Sequence, residues 1–355
     1  MTADSVKRLL QRETRSQLQS QLFEAARKVR GQTIFFRGVI EFSNQCRSNC
    51  KYCGMRRDNE RPNRSGKPQK HLFCLEEGEI LRAAEQAYDS GLRSIVLQSG
   101  EVPDYASVTL PGLISKLRRT FGDMKLISAV GWQTERTYQE LQCAGLDMVI
   151  LKYETLNNEL YWRLKDEPSG EGKRSRHALL RWLKQDLKIK VSSGCIAGLP
   201  GMGIDYDPYD DIAKGLVWLK ELEIDAASVS PFIPHDQSPL ASEAPCPMEL
   251  ALNTVAAMRL VLGNIPIPAV SAFGLLDSRD RLGAQFLAID AGANVVTVNC
   301  TPELHRKDYC IYTTDRNVVD REMMKRIRTA CENRRLRFEP EMRGHNCCQS
   351  QSRQK

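Results

Sequence analysis

Three closely spaced cysteines are the residues of this chain best placed to do chemistry. Cys46, Cys50 and Cys53 follow an apolar run at a C-x3-C-x2-C spacing. Thiolates this close together converge without ordering a long segment, so they can hold three corners of an iron–sulfur cube and leave the fourth iron without a protein ligand. We expect that open iron, beside Tyr52 and Gly54, to bind a small chelating ligand.

A structural zinc site is the alternative for this loop. The three cysteines with Cys74 or His71 would supply the four closed tetrahedral ligands that zinc prefers. The odd third cysteine argues against zinc, because zinc sites usually come as paired C-x2-C units. Analysis of iron and acid-labile sulfide separates the two hypotheses.

Composition limits the class of protein. The chain has 355 residues, 12 cysteines and a net charge of +7. It has no stretch of about twenty apolar residues, and Met1 to Leu10 lacks the apolar core of a signal peptide, so we expect a cytoplasmic protein with no membrane contact. In that compartment, many cysteines favour metal or redox chemistry over a disulfide framework.

The elements that must position the cysteine loop alternate regularly. The sequence predicts α/β architecture, a (β/α)8 barrel of the TIM type, because short apolar strands are separated by helical segments. The predicted strands are Thr33 to Phe42, Ser94 to Leu97, Lys125 to Val130, Met148 to Leu151, Ile189 to Ile196, Ala226 to Ser230, Ile267 to Ser271 and Val295 to Val298. The predicted helices lie near 76–90, 107–120, 133–144, 173–187, 207–222, 247–262 and 278–291.

Four regions are expected along the chain. They are an N-terminal helical extension over 1–31, the barrel over 32–316, a C-terminal helix packing on the barrel over 317–340 and a flexible tail over 341–355. The tail is rich in Gln, Ser and Arg, which is typical of disorder, although it carries Cys347 and Cys348.

Ligands of such a barrel gather where the strands end. Gln98, Ser99, Gly100 and Glu101 follow the second strand, where the glycine permits close backbone approach and the carboxylate suits a cation. The structural alternative is a glycine turn before a helix whose first residue is acidic, which would give the same sequence pattern.

A carboxylate and a guanidinium follow the fourth strand. Glu154 and Arg176 could clamp the two ends of a zwitterionic ligand, the arginine by bidentate pairing with its carboxylate. Each is equally compatible with a surface ion pair. The turn after the fifth strand, with Gly198 and Pro200, would let a flat base approach the backbone, and an ordinary tight turn is the alternative.

These motifs resemble the radical SAM superfamily, in the group that holds the [FeFe]-hydrogenase maturase HydE, methylornithine synthase and biotin synthase. The similar segments are Ile40 to Arg57, Val96 to Glu101, Gly198 to Gly201, Pro231 to Ala241 and Gly292 to Val295, within a resemblance that runs from about residue 33 to 302.

The resemblance implies a [4Fe–4S] cluster and S-adenosylmethionine as cofactors. The cluster on Cys46, Cys50 and Cys53 would cleave S-adenosylmethionine to a 5′-deoxyadenosyl radical. Residues near the bound S-adenosylmethionine would be Tyr52, Gly54, Ser99, Gly100, Glu101, Glu154, Arg176, Gly198 and Pro200. Residues facing the substrate would be Gln98, Pro231, Ile233, His235 and Ser271. The expected partners are a small-molecule or carrier-bound substrate and an electron donor such as flavodoxin or ferredoxin.

Departures from the group's pattern concentrate on the substrate side. Lys152 stands where the group has an arginine, Gly131 precedes Trp132 where the group has an acidic residue, and Cys300 replaces a tryptophan. With Cys195 and Cys310, Cys300 could hold a second iron–sulfur cluster if the three thiols converge at the barrel mouth. Buried apolar cysteines and a loop thiol are the alternative.

Three functions therefore stay open. The first is HydE-like radical chemistry on a small substrate, and the second is sulfur insertion that uses the auxiliary cluster. The third is a non-catalytic iron–sulfur or zinc scaffold, which would have no reason to keep Glu101, Glu154 and Arg176.

A basic segment follows the cysteine loop. Its residues are Arg56, Arg57, Arg61, Arg64, Lys67 and Lys70. It fits a solvated mobile loop or a lid that attracts an anion or an acidic partner. Nucleic-acid binding is not favoured, because the interleaved aromatic residues typical of single-strand binding are absent.

Overall fold

Parallel strands form a curled sheet around a central cavity. The computed structural model describes residues 1–12, 16–60, 71–102, 104–165, 175–277, 279–312 and 321–339. The ring strands are β1 (Thr33–Ser43), β2 (Ser94–Ser99), β3 (Lys125–Ala129), β4 (Met148–Ile150), β5 (Lys190–Ala197), β6 (Ala226–Pro231) and β7 (Val295–Asn299). They pair in the order β6-β5-β4-β3-β2-β1-β7, and a short strand β8 (Arg337–Glu339) pairs with the start of β1.

The predicted strand Ile267 to Ser271 is wrong as a regular strand. Its stretch closes the ring between β6 and β7. The Ala227 N–H donates to the Pro266 carbonyl (3.0 Å) on the β6 side, and an isolated parallel bridge joins Pro268 to Val295 on the β7 side, where the Ala269 N–H donates to the Val295 carbonyl (2.9 Å). Proline lacks an N–H donor, so Pro266 and Pro268 prevent a continuous ladder. The barrel prediction is thus confirmed with an irregular seventh position.

Helices cover the outside of the ring. They are α1 (Ala3–Leu10), α2 (Gln17–Arg30), α3 (Glu77–Asp89), α4 (Leu110–Thr120), α5 (Glu135–Cys143), α6 (Asn158–Lys165), α7 (Arg176–Gln185), α8 (Pro208–Glu221), α9 (Met248–Leu262), α10 (Arg281–Asp290), α11 (Glu303–Arg306) and α12 (Arg321–Glu332). Short 3-10 turns span Arg57–Glu60 and Ser271–Leu275, and a π turn at Tyr105–Thr109 precedes α4. Helix α6 was not predicted.

Local capping explains where several helices begin. The hydroxyl of Ser16 accepts the Gln19 N–H before α2, and the hydroxyl of Ser175 accepts the Ala178 N–H before α7. Such oxygens satisfy backbone donors that have no partner within the helix. The Ser175 cap fixes the start of α7, which places Arg176 as its first residue.

The N-terminal extension is two helices rather than the single helix predicted over 1–31. Helix α1 packs on α8 and α2 packs on α9, with Val6, Leu10 and Leu22 buried. The Asn253 amide on α9 donates to the Leu10 carbonyl (3.0 Å), which anchors the end of α1.

Alternation along the strands divides the core into two layers. The inner layer is Val39, Val96, Ile127, Met148 and Ala226. The larger outer layer lies between sheet and helices, since successive strand residues point to opposite faces. This alternation decides which residues can reach the cavity.

Parts of three predictions lie outside the described residues. These are most of the basic segment after Arg57, the tail over 341–355, and residues 317–320 and 340 of the predicted C-terminal helix region. Within the described ranges, every helix is too short or too polar to cross a membrane.

Candidate active site

The cysteine loop follows β1 and is fixed by backbone contacts to the loop after β2. Arg47 N–H donates to the Glu101 carbonyl (3.0 Å), and Gly100 N–H donates to the Ser43 carbonyl (3.2 Å). A Cβ at Gly100 would lie 2.1 Å from the Gln45 carbonyl oxygen, so only glycine permits this approach. The predicted role of Gly100 in close backbone approach therefore applies to the cysteine loop itself.

Gly54 brings the far side of the cysteine loop against two other segments. A Cβ at Gly54 would lie 2.2 Å from His235 Nε2 and 2.3 Å from the Cys310 carbonyl oxygen. Burial lowers the pKa of His235 although Asp236 raises it, and its Nδ1 accepts the Gln237 N–H (3.1 Å). His235 lies against the cysteine loop and is not part of the cavity lining found among the described residues.

Donors already point at two of the three thiols. Cys46 Sγ accepts the Glu101 N–H (3.3 Å), and Cys50 Sγ accepts from the Lys165 ammonium (3.1 Å). Burial, with a smaller contribution from Cys50, raises the pKa of Cys46 to about 11. Metal coordination deprotonates a thiol outright, and donors aimed at the sulfur stabilise the resulting charge. Three thiols on one loop with such donors fit a [4Fe–4S] cluster.

Glu101 and Arg176 are buried close to each other beside the cysteine loop. The Glu101 carboxylate accepts the Trp132 N–H (3.0 Å), and its Oε2 lies 3.8 Å from Arg176 Nη2. Burial raises the pKa of Glu101, but Lys165 and Arg176 lower it more, so the net shift is downward. Glu101 is therefore a carboxylate that can accept from a bound ammonium group.

The Arg176 guanidinium is held by neutral oxygens. It donates to the Tyr161 hydroxyl (2.9 Å) and to the Lys152 carbonyl (3.0 Å). These two bonds fix the plane of the guanidinium. Burial lowers the pKa of Arg176, but Tyr161 and Glu101 among its acidic neighbours raise it more, so it stays a cation.

Glu154 stands on a strained backbone beside β5. Its φ of 66° lies in the left-handed region, and its N–H donates to the Gly194 carbonyl (3.0 Å). Glu154 Oε2 lies 3.3 Å from the Lys152 ammonium but accepts no hydrogen bond among the described residues. Strain of this kind clusters at functional sites, and the carboxylate has a free acceptor position for a ligand hydroxyl.

One cavity of about 360 Å³ runs from this cluster into the barrel. Of the predicted residues, those that line it are Gln98, Ser99, Glu154, Arg176 and Ser271. The lining found among the described residues does not include the other residues predicted to hold the first cluster, S-adenosylmethionine or the substrate, which are Cys46, Cys50, Cys53, Tyr52, Gly54, Gly100, Glu101, Gly198, Pro200, Pro231, Ile233 and His235. Tyr52 is half-buried, and burial raises its pKa. The roles of all these residues toward ligands remain predictions.

The position of Gly198 requires glycine for a structural reason. Its φ is 77°, and a Cβ there would lie 2.8 Å from the Cys246 Cβ. The turn after β5 thus packs against the segment that follows β6. This packing accounts for the glycine without a bound base.

The three candidate ligands of an auxiliary cluster do not converge. Cys195 is fully buried in the outer layer, where burial raises its pKa to about 12. Cys300 Sγ packs behind β1, 3.0 Å from where a Gly38 Cβ would stand, and Cys310 Sγ donates to the Lys307 carbonyl (2.8 Å). Strand alternation turns Cys195 away from the mouth, which does not favour a second cluster on these cysteines, and that hypothesis stays a prediction.

Three charged residues of the site were missed by sequence reasoning, and one of them is Glu41, whose buried carboxylate lines the cavity. Lys165 ends the unpredicted helix α6, and Arg37 on β1 lines the cavity. The Arg37 guanidinium donates to the Thr297 hydroxyl (3.0 Å), and burial lowers its pKa to about 10. The available signal was a charged residue, Arg37, within an apolar strand. It stands two positions before Val39, so both side chains lie on the inward face of β1.

The fold and the cysteine loop define a class of enzyme. The chain belongs to the radical SAM superfamily, whose family model matches residues 40–225. It is accordingly an enzyme that uses a [4Fe–4S] cluster and S-adenosylmethionine, acts on a small molecule and needs a reductant.

Particular relatives narrow the comparison. The chain is 35% identical to the [FeFe] hydrogenase maturase subunit HydE of Thermotoga maritima over 289 residues, which covers 81% of this chain and 76% of that protein. It is 25% identical to a 3-methylornithine synthase of Methanosarcina acetivorans, over 92% of this chain and 88% of that protein. The crystal structure of methylornithine synthase (PylB) superposes with a TM-score of 0.76 at 22% identity, covering 95% of this chain and 94% of the other, which shows the shared fold.

Proposed function

We infer that this chain is a HydE-like radical SAM enzyme that acts on a small anionic substrate inside the barrel, in the maturation of a cofactor or metallocluster. The observation that carries this proposal is the single cavity that joins Glu154 and Arg176 to Arg37. Strands of this barrel open at their carboxyl ends, so Arg37, four residues before Glu41 on β1, lies deeper than the clamp. The cavity volume of about 360 Å³ is typical of a small-molecule site.

The residues at the mouth have separate tasks. Cys46, Cys50 and Cys53 hold the cluster, while Glu101 and Arg176 bind the ammonium and carboxylate ends of S-adenosylmethionine. Glu154 accepts from the ribose, and Tyr52 lies near the adenine. With a [4Fe–4S] cluster held by these cysteines, the site would supply the electron for reductive cleavage of S-adenosylmethionine. Flavodoxin or ferredoxin would be the electron donor.

The deeper part of the cavity favours an anion. In the described part of the chain, Arg37 has no carboxylate within ion-pair distance, and its one hydrogen bond goes to Thr297. The buried carboxylate of Glu41 lines the same cavity four residues nearer the mouth and makes no ion pair with Arg37 in the described part of the chain. An anionic ligand that contacts the guanidinium directly would therefore lower the cost of burying this cation. Hydroxyls of Ser192 and Ser228 line the same cavity and add neutral donors.

Enclosure serves the radical chemistry. The mouth is narrowed by Met55, Tyr309 and Ile311, which line the cavity together with the charged residues. Apolar groups at this place exclude water from the reacting atoms.

The proposal is tested by replacing HydE with this chain in an [FeFe]-hydrogenase maturation assay. We expect active hydrogenase with the wild-type chain and loss of at least nine-tenths of that activity with Arg37→Gln, while cleavage of S-adenosylmethionine without substrate is unchanged. Arg136→Gln is the matched control, because that side chain is 87% exposed and pairs only with Glu140 four residues on. Cleavage of S-adenosylmethionine without any hydrogenase maturation would overturn the HydE-like assignment, and full activity of Arg37→Gln would overturn the anion site.

A further inference from the structure

The end of helix α6 docks on the cysteine loop. Lys51 N–H, between the second and third cysteines, donates to the Leu164 carbonyl (2.8 Å). Lys165, the last residue of α6, places its ammonium 3.1 Å from Cys50 Sγ and 3.4 Å from Ser48 Oγ. Backbone and side-chain contacts therefore fix this lysine against the loop at two adjacent positions.

Burial makes this lysine unusual. Lys165 is only 5% exposed, and lysine is almost never fully buried unless it is paired. The ionisable groups that act on it are Cys50, Arg176, Glu101 and Tyr161. Glu101 is already shared with Arg47, Arg176 and the Trp132 N–H. The thiol is thus the acidic group that Lys165 contacts directly.

We propose that Lys165 is a positioning residue that tunes the [4Fe–4S] cluster through Cys50. Its ammonium donates a charge-assisted hydrogen bond to the cluster sulfur, and hydrogen bonds to sulfur and local charge set the reduction potentials of such clusters. Reduction adds one electron and no proton, so the cluster becomes one charge more negative. A fixed cation stabilises the reduced state more than the oxidised state, and Lys165 thereby raises the midpoint potential and eases reduction by a one-electron donor.

This role rests on the cluster and not on the proposed substrate. It also differs from helix capping, although a lysine at the end of α6 interacts favourably with the helix dipole. Loss of a capping interaction lowers protein stability and leaves the potential of a retained cluster unchanged. The reduction potential therefore separates the two roles.

The test is an anaerobic redox titration of the reconstituted enzyme with dithionite, followed by electron paramagnetic resonance of the reduced cluster. At a fixed applied potential, Lys165→Met should hold at least tenfold less reduced cluster relative to oxidised cluster than wild type, a downward shift of 59 mV for a one-electron couple. Lys165→Arg, which keeps the charge, should stay near the wild-type value. Iron content is measured on each variant.

Lys184→Met is the matched control. Lys184 is a mostly buried lysine paired with Asp225 (2.7 Å), which also accepts the Val191 N–H at the amino end of β5, the opposite end of the barrel from the cysteine loop. Its potential should equal that of wild type. If Lys165→Met fails to retain iron, Lys165→Gln, which keeps a donor without the charge, takes its place. A wild-type potential in the neutral variant that retains the cluster would overturn the proposal, whatever the hydrogenase assay shows.

Discussion

Gly131→Ala tests the geometry that holds Glu101 in place. Gly131 has a φ of 72°, and a Cβ there would lie 2.7 Å from Glu101 Oε2, the atom that accepts the Trp132 N–H. Alanine at this position therefore adds a side chain in the left-handed region and pushes the buried carboxylate from its hydrogen bond.

A second glycine separates the cost of backbone strain from the cost of losing the Glu101 hydrogen bond. Gly31 has the same φ of 72°, but a Cβ there meets nothing within 4 Å. Gly31→Ala should lower the free energy of unfolding by about 1–3 kcal/mol, the cost of a strained backbone. Gly131→Ala should lose about 1.5–3 kcal/mol for the hydrogen bond to a charged group in addition to its own backbone strain.

Urea denaturation and S-adenosylmethionine binding provide the assays. The displaced carboxylate should weaken S-adenosylmethionine binding roughly tenfold to a hundredfold in Gly131→Ala, since about 1.4 kcal/mol corresponds to a factor of ten. Gly31→Ala should bind as wild type does. Equal stability and equal affinity in the two variants would refute the placement of Glu101 and its assigned role.

Two further predictions concern the clamp and the outlying cysteines. Arg176→Ala should weaken S-adenosylmethionine binding by about 1.5–3 kcal/mol, the range for a hydrogen bond to a charged group, and an unchanged dissociation constant by titration calorimetry would show that Arg176 does not hold the ligand. The triple variant of Cys195, Cys300 and Cys310 to alanine should keep the about four irons of one cluster after reconstitution; a loss of about four irons with S-adenosylmethionine cleavage intact would restore the auxiliary cluster and favour sulfur insertion.

The features that the sequence predicted well are local. The spacing of the cysteines and the position of Glu101 after β2 depend on neighbours along the chain, and strand ends of a barrel bring such motifs to one rim. Arg176 could be proposed for the same reason, because it follows the fourth strand on the helix predicted near 173–187.

Contacts between distant segments could not be predicted. Lys165 reaches Cys50 across 115 positions because an eight-residue helix intervenes after β4, and only the pattern of Leu160, Tyr161 and Leu164 hinted at that helix. The direction of Cys195 depends on strand register, where one residue exchanges the two faces. For the segment between β6 and β7, Pro266 and Pro268 were a sequence signal against a regular strand.

The central claim is that the cysteine loop carries the cluster that cleaves S-adenosylmethionine. The direct measurement is formation of 5′-deoxyadenosine by the anaerobically reconstituted, dithionite-reduced enzyme, with Cys50→Ala beside it. The wild-type enzyme should bind about four irons and form 5′-deoxyadenosine with methionine, and the variant should form neither product. Undiminished 5′-deoxyadenosine formation by Cys50→Ala would contradict the account.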